Sequence, residues 1–145
     1  MQIPNNAVVM VADGRKLLFF RNEGDAAFPN LVVETAEALI NPKDGNQKSD
    51  APGSTGGGGS LRNSFAETDY HQQEEDRFAA GAADMLKNRA LTNDFESLII
   101  VAPPHTLGEL RKHYHDEVSK RLIGEIDKDL TGHSVPEIEK ALAKA

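Results

Sequence analysis

Four consecutive glycines followed by a serine, Gly56, Gly57, Gly58, Gly59 and Ser60, are the residues of this sequence most open to a chemical reading. Without a Cβ, backbone N–H groups in such a run can approach a phosphate or a crowded RNA surface closely. Lys48 and Arg62 flank the run and would meet phosphate charge. Loops that cradle nucleotide phosphates, however, keep a fixed spacing: GxxxxGK followed by Ser or Thr, or GxGxxG directly between a strand and a helix. Here Ser60-Leu61-Arg62 stands where the lysine and hydroxyl residue are needed, which speaks against a nucleotide loop. The plainer reading of the same residues is a flexible Gly/Ser linker.

Other chemistry-bearing residues are scattered. His71, His105, His113, His115 and His133 are too few and too dispersed for a recognisable metal site. His113 and His115 would point to different sides of a helix, whereas helical zinc pairs sit at i, i+4, so solvated histidines are expected. Asp127 and Asp129 would share one face of a strand but have no nucleophile beside them, which makes an exposed charged edge the simpler reading. The sequence has no GxSxG and no cysteine to act as nucleophile. These residues predict no catalysis, no cofactor and no bound metal. The acidic set Glu67, Asp69, Glu74, Glu75 and Asp76 offers a protein-contact surface, or simply a solvated helix face.

The elements that would position these groups follow from apolar patterning. Ala7 to Ala12 is an unbroken apolar run, followed by Asp13-Gly14 and a second run from Lys16 to Arg21. Asp-Gly between two such runs predicts a two-residue type I′ hairpin with positive φ. Leu31 to Thr35, extending to about Leu39, predicts a third strand and completes an antiparallel meander. From 41 to about 66 turn residues replace the pattern, predicting either a functional loop or a linker. Asp69 with Gln72 three residues on predicts a capped helix start. Phe78, Ala82, Met85 and Leu86 then form its apolar stripe, with Asp76, Asp84 and Lys87 toward water.

Leu98 to Ala102, closed by Pro103-Pro104, predicts a strand covered on both faces. Thr106 to about Tyr114 predicts a short helix. Val118 to Ile126 is ambiguous between helix and strand. Ser134 caps a last helix with Pro136 in its first turn. The expected fold is α/β (α+β): a mixed sheet that starts with an antiparallel meander and is flanked by helices.

The 145 residues predict one domain over 1–145, able to bury a core without a disulfide or a metal. The net charge of −7 does not favour a nucleic-acid backbone over the whole surface, so DNA is not an expected partner. Only the stretch 41–66 carries a net positive charge, of a single unit. No apolar run approaches the roughly 20 residues of a membrane span. The first residues resemble no signal peptide, so a cytoplasmic location away from membranes is expected.

With the elements in this order, the chain resembles the bacterial host attachment protein family, itself related to bacterial relatives of the archaeo-eukaryotic class 1 release factors. The matching pieces are Val11-Ala12-Asp13-Gly14 with Phe19-Phe20, the entry Asp50-Ala51-Pro52-Gly53, and Glu75-Asp76-Arg77-Phe78-Ala79. They continue in the stretch from Ala102-Pro103-Pro104-His105 to Leu110-Arg111, and in Lys128-Asp129-Leu130-Thr131. The resemblance implies a fold like the release-factor middle domain, with a glycine-rich loop before the long helix.

In the release factors that loop bears Gly-Gly-Gln, which positions water against the peptidyl-tRNA ester. Here Gly58-Gly59 is followed by Ser60, and the glutamine is absent. Gln72 and Gln73 lie too far along to replace it. What the resemblance implies is therefore a non-catalytic domain that docks on the ribosome or tRNA through Gly56–Ser60, with Arg62 and Lys48 at phosphate. The codon-reading and partner-binding domains of release factors are not expected within 145 residues. A cytoplasmic protein-interaction factor with an indirect effect on host attachment, and a peptidyl-tRNA or nucleotide hydrolase, are the alternatives.

Overall fold

A computed structural model describes residues 1–38 and 60–145 of the chain, with side chains in the long first helix described from Tyr70 onward. Five strands form one sheet: β1 (Val8–Ala12), β2 (Lys16–Asn22), β3 (Leu31–Ala38), β4 (Leu98–Ala102) and β5 (Leu122–Asp127). Their spatial order is β3-β2-β1-β4-β5. β1 pairs antiparallel with β2 and β2 with β3, while β1–β4 and β4–β5 are parallel. The helices among the described residues are α1 (Ser60–Leu91), α2 (Pro104–Arg111), α3 (Asp116–Arg121) and α4 (Val135–Lys144).

The two unbroken apolar runs occupy the inner strands because only there are both faces of a strand covered. Every residue of β1 and β4 is buried. On one face Val8, Met10, Leu17, Phe19, Leu98 and Ile100 pack against α1, α2 and α3. On the other, Val9, Val11, Phe20, Ile99, Val101 and Ile126 pack against α4 through Ile138 and Leu142. Each fully buried Leu or Ile contributes about 1.5–3 kcal/mol. The side of α1 that meets the sheet is mostly small: Ala79, Ala82, Ala83, Leu86 and Ala90 are buried, with Phe78 and Met85 at its margins. This is the expected stripe, shifted toward alanines that allow close approach of helix to sheet.

Several expectations change in detail. α1 begins at Ser60, not near Asp69, so the turn-rich stretch is shorter at its far end than 66 and Asp69 lies inside the helix. Asp13-Gly14 makes no type I′ turn, since neither residue has positive φ. The turn is instead closed by a side chain: Asp13 Oδ1 accepts from the backbone N–H groups of Arg15 and Lys16, both at 2.7 Å. Carboxylate acceptance of this kind replaces the backbone bond that a primed turn would supply.

α2 starts at Pro104, with Pro103 in the extended conformation before it, and ends at Arg111, so Thr106 is an interior residue of that helix. The ambiguous stretch divides at Arg121/Leu122 into α3 and β5. Asp129 lies beyond β5 and shares no strand face with Asp127. The last helix is as expected, with a full capping box between Ser134 and Glu137.

One irregularity has a clear use. The pairing of β2 with β3 shifts between Phe19 and Phe20, so Phe19 faces Thr35, Phe20 faces Val33, and Glu34 is left without a partner. A bulge of this kind re-aims a side chain. Glu34 turns to bind Arg21 at 2.9 Å and Arg89 at 2.6 Å. No described helix is long and apolar enough to cross a membrane.

Candidate functional site

β1, β4 and β5 run in one direction, and the double reversal through β2 brings β3 into line with them. Their carboxyl ends therefore share one edge of the sheet, marked by Ala12, Ala38, Ala102 and Asp127. In open sheets that contain parallel strands, ligands gather outside this edge. The chain leaves β3 there, at the pairing of Ala38 with Lys16, and Gly14 at the same edge lies against the Glu75 carboxylate of α1. The chain thus leaves β3 at the carboxyl edge, and α1 passes the same edge at Glu75.

Two polar clusters stand on this edge. In the first, the Thr131 hydroxyl lies 2.9 Å from Asp13 Oδ2 and 2.8 Å from Asp129 Oδ1, while the Thr131 backbone N–H donates to Asp129 at 3.2 Å. Thr131 is buried. One hydroxyl carries one proton, so the two carboxylates share a single donor. This bond fastens the loop after β5 to the turn after β1, across 118 residues of sequence.

In the second cluster α1 meets α2. The Gln72 amide nitrogen donates to Asp76 Oδ1 at 3.0 Å and lies 2.6 Å from His105 Nε2, which is 3.2 Å from the same Asp76 oxygen. Asp76 is held below the usual carboxylate range, first by the Gln72 hydrogen bond and, against a small cost of burial, by His105 and Lys112. Glu109, one helical turn after His105, binds Lys112 at 2.6 Å. One oxygen of Asp76, one nitrogen of His105 and one oxygen of Glu109 lie within 4.8 Å of one another.

The residues that carry the family resemblance thus converge. Val11-Ala12-Asp13-Gly14 meets Lys128-Asp129-Leu130-Thr131 through Asp13 and Thr131. Glu75-Asp76 meets Pro104-His105 through Asp76 and His105, and meets Asp13-Gly14 through Glu75. Segments far apart in sequence form one edge. A search against protein-family models matches residues 6–142 to bacterial archaeo-eukaryotic release factor family 12. The chain belongs to this family. The match concerns the release-factor side of the resemblance and says nothing of host attachment. No curated protein matches the chain.

As a member of that family the chain is a release-factor-related α/β domain with a five-stranded mixed sheet. Of the residues predicted to contact RNA, Lys48 and Gly56, Gly57, Gly58 and Gly59 lie outside the described residues. Ser60 is the first residue of α1 and Arg62 lies in its first turn, which carries no acidic residue.

Gln72 is about three turns into α1 and is engaged by Asp76 and His105, so it is no stand-in for the missing loop glutamine. Of the acidic set, the side chains of Glu67 and Asp69 lie outside the described residues, and the other three are less free than a solvated face. Glu74 pairs with Arg77 at 2.6 Å, Glu75 sits against Gly14, and Asp76 turns toward α2 while staying partly exposed. His115 accepts from the Glu117 backbone N–H as the cap of α3, a structural use. Sequence spacing missed the His105–Asp76 meeting. Its one local signal was His105 and Glu109 at i, i+4 directly after Pro103-Pro104.

Proposed function

We propose that the chain is a single, non-catalytic, release-factor-like domain that docks on the ribosome or a tRNA surface through residues 48–62. The observation that carries this reading is the junction at Ser60. The glycine run is followed immediately in sequence by the amino terminus of a 32-residue helix. Unpaired N–H groups and the positive end of the dipole favour an anion there, and no acidic side chain in the first turn opposes it. Arg62, in that turn, adds a cation.

Gly56, Gly57, Gly58, Gly59 and Ser60 provide the close approach, with Arg62 and Lys48 meeting phosphate. With no glutamine after Gly58-Gly59, the docked domain positions no water for ester hydrolysis. The partner is RNA of the translation machinery, in the cytoplasm, and not DNA or a membrane. Any influence on attachment to host cells is then indirect, through translation.

Sedimentation with ribosomes through a sucrose cushion at low and moderate salt tests the reading. Binding should weaken as salt rises, because phosphate contacts release counterions. It should fall in Arg62→Glu and disappear in a variant lacking residues 53–59. Equal pelleting of all three proteins, or of none, would overturn it. Release of labelled product from peptidyl-tRNA by the purified protein would instead favour a hydrolase.

A further inference from the structure

We propose that Gln72, Asp76, His105 and Glu109 form a binding site for a divalent transition-metal ion of the zinc class, clamping the amino-terminal half of α1 to α2. The site is independent of ribosome docking. Its first support is the donor set: an imidazole nitrogen and two carboxylates within 4.8 Å of one another, from two helices. Mixed nitrogen and oxygen donors of this kind suit zinc better than magnesium or calcium.

The second support is the triangle made by the Gln72 amide, Asp76 Oδ1 and His105 Nε2, with sides of 2.6, 3.0 and 3.2 Å. With Nε2 bare, the two amide hydrogens of Gln72 serve His105 and Asp76, which places two lone-pair acceptors 3.2 Å apart on one face of the amide. If His105 Nε2 is bare, it faces Asp76 as a second acceptor. If it is protonated, it faces the Gln72 N–H as a second donor. Turning the amide end for end sets Oε1 beside Asp76 as a second acceptor, with a His105 N–H shared between them. A bare Nε2 with the amide oxygen turned inward instead presents three lone pairs to a single cation.

The spacing agrees with that arrangement. Metal–ligand bonds of about 2.0–2.2 Å place neighbouring ligand atoms roughly 3–3.5 Å apart. Glu109, held by Lys112 at 2.6 Å, completes the set when it exchanges one cation for another. Lys112 is thus a competitor for the ion. The backbone needs no rearrangement, since Glu109 and His105 lie one turn apart on α2.

The test uses the full 145-residue chain, stripped of metal and titrated with zinc against a chromogenic chelator. One ion per chain is expected. His105→Ala and Asp76→Asn should each weaken binding at least about tenfold. Lys112→Ala should tighten it, and His133→Ala, remote from the cluster, should leave it unchanged. Cobalt(II) should give visible d–d absorption that His105→Ala abolishes. Zinc should also raise the unfolding temperature of the parent protein but not of that variant.

Far-ultraviolet circular dichroism separates a lost ligand from a lost fold, and if His105→Ala does not fold, Asp76→Asn carries the test. Absence of saturable binding, or binding equal in the parent and the folded His105 or Asp76 variant, would overturn the proposal.

Discussion

The two ends of the sheet are built on opposite terms. At the amino end of β1 and β4, cations and anions interlock. Arg21 binds Glu34 and Asp94, and its guanidinium also donates to the Asn6 and Asp94 carbonyls. Arg89 binds the same two carboxylates while its guanidinium lies 4.8 Å above the Phe19 ring. Arg121 reaches Asn93 and the Phe95 carbonyl. Beside them the buried Asn22 donates to Ile3 at 2.8 Å and accepts from Gly24 and Asn30 at 2.9 and 2.8 Å. The carboxyl end instead has two carboxylates on one hydroxyl proton, and two acceptors, Asp76 and His105, crowded onto one amide. One end is tied by guanidinium groups that each bind two carboxylates, while the other leaves acceptors sharing few donors at a partly exposed edge. The difference concentrates side-chain cross-links at the amino end of the sheet.

The sharpest way to break this contrast is at Asn22. Replacing it with alanine strands buried backbone groups of the amino-terminal segment and the β2–β3 turn. A loss of about 2–4 kcal/mol is expected, read as a lower denaturant midpoint with an unchanged slope.

A smaller effect is expected with acid. Burial pushes Glu34 upward, but hydrogen bonds and charges from Arg21 and Arg89 outweigh it and hold its carboxyl below the usual range. A group depressed in the folded state stabilises at neutral pH, and that contribution is lost as pH falls through its folded value. Stability measured from neutral to acid pH should therefore drop below the usual carboxylate range. The drop should be shallower in Arg89→Ala, which itself loses about 1–2 kcal/mol at neutral pH.

The smallest effect belongs to the carboxyl end. Asp129→Asn should change stability by less than about 0.5 kcal/mol, because it relieves the sharing of one proton as it weakens one acceptor. A loss at Asp129 as large as that at Asn22 would erase the distinction between the two ends.

Much of the fold was legible because a few rules dominate it. Val8–Ala12 and Leu98–Ala102 read as inner strands because an unbroken apolar run needs cover on both faces. Ser134 and Glu137 read as a capping box because both partners lie within four residues. The capping spacing of Asp69 and Gln72 points to a later start of α1 than the true one at Ser60. Glycines and turn residues just before Ser60 obscure that start, although Leu61, Arg62, Ala66 and Glu67 are good helix formers. The break at Arg121/Leu122 was hidden because neither Gly nor Pro marks it.

The carboxyl-edge clusters were illegible for another reason. Asp76 meets His105 and Asp13 meets Thr131 only after the sheet order is known. The family resemblance picked out the segments, and the topology supplied their meeting.

The parallel pairing of β1 with β4 also sets a schedule. Val8 lies beside Leu98, about 90 residues later in the chain. At a synthesis rate of about 5–20 residues per second, β1 spends on the order of 5–20 s outside the tunnel before its second neighbour exists. During that time the nascent meander can close its hairpins but presents an open apolar edge at Val8–Ala12. The domain is therefore most vulnerable to wrong partners midway through its own translation, and the arrival of Leu98–Ala102 is the event that ends the exposure.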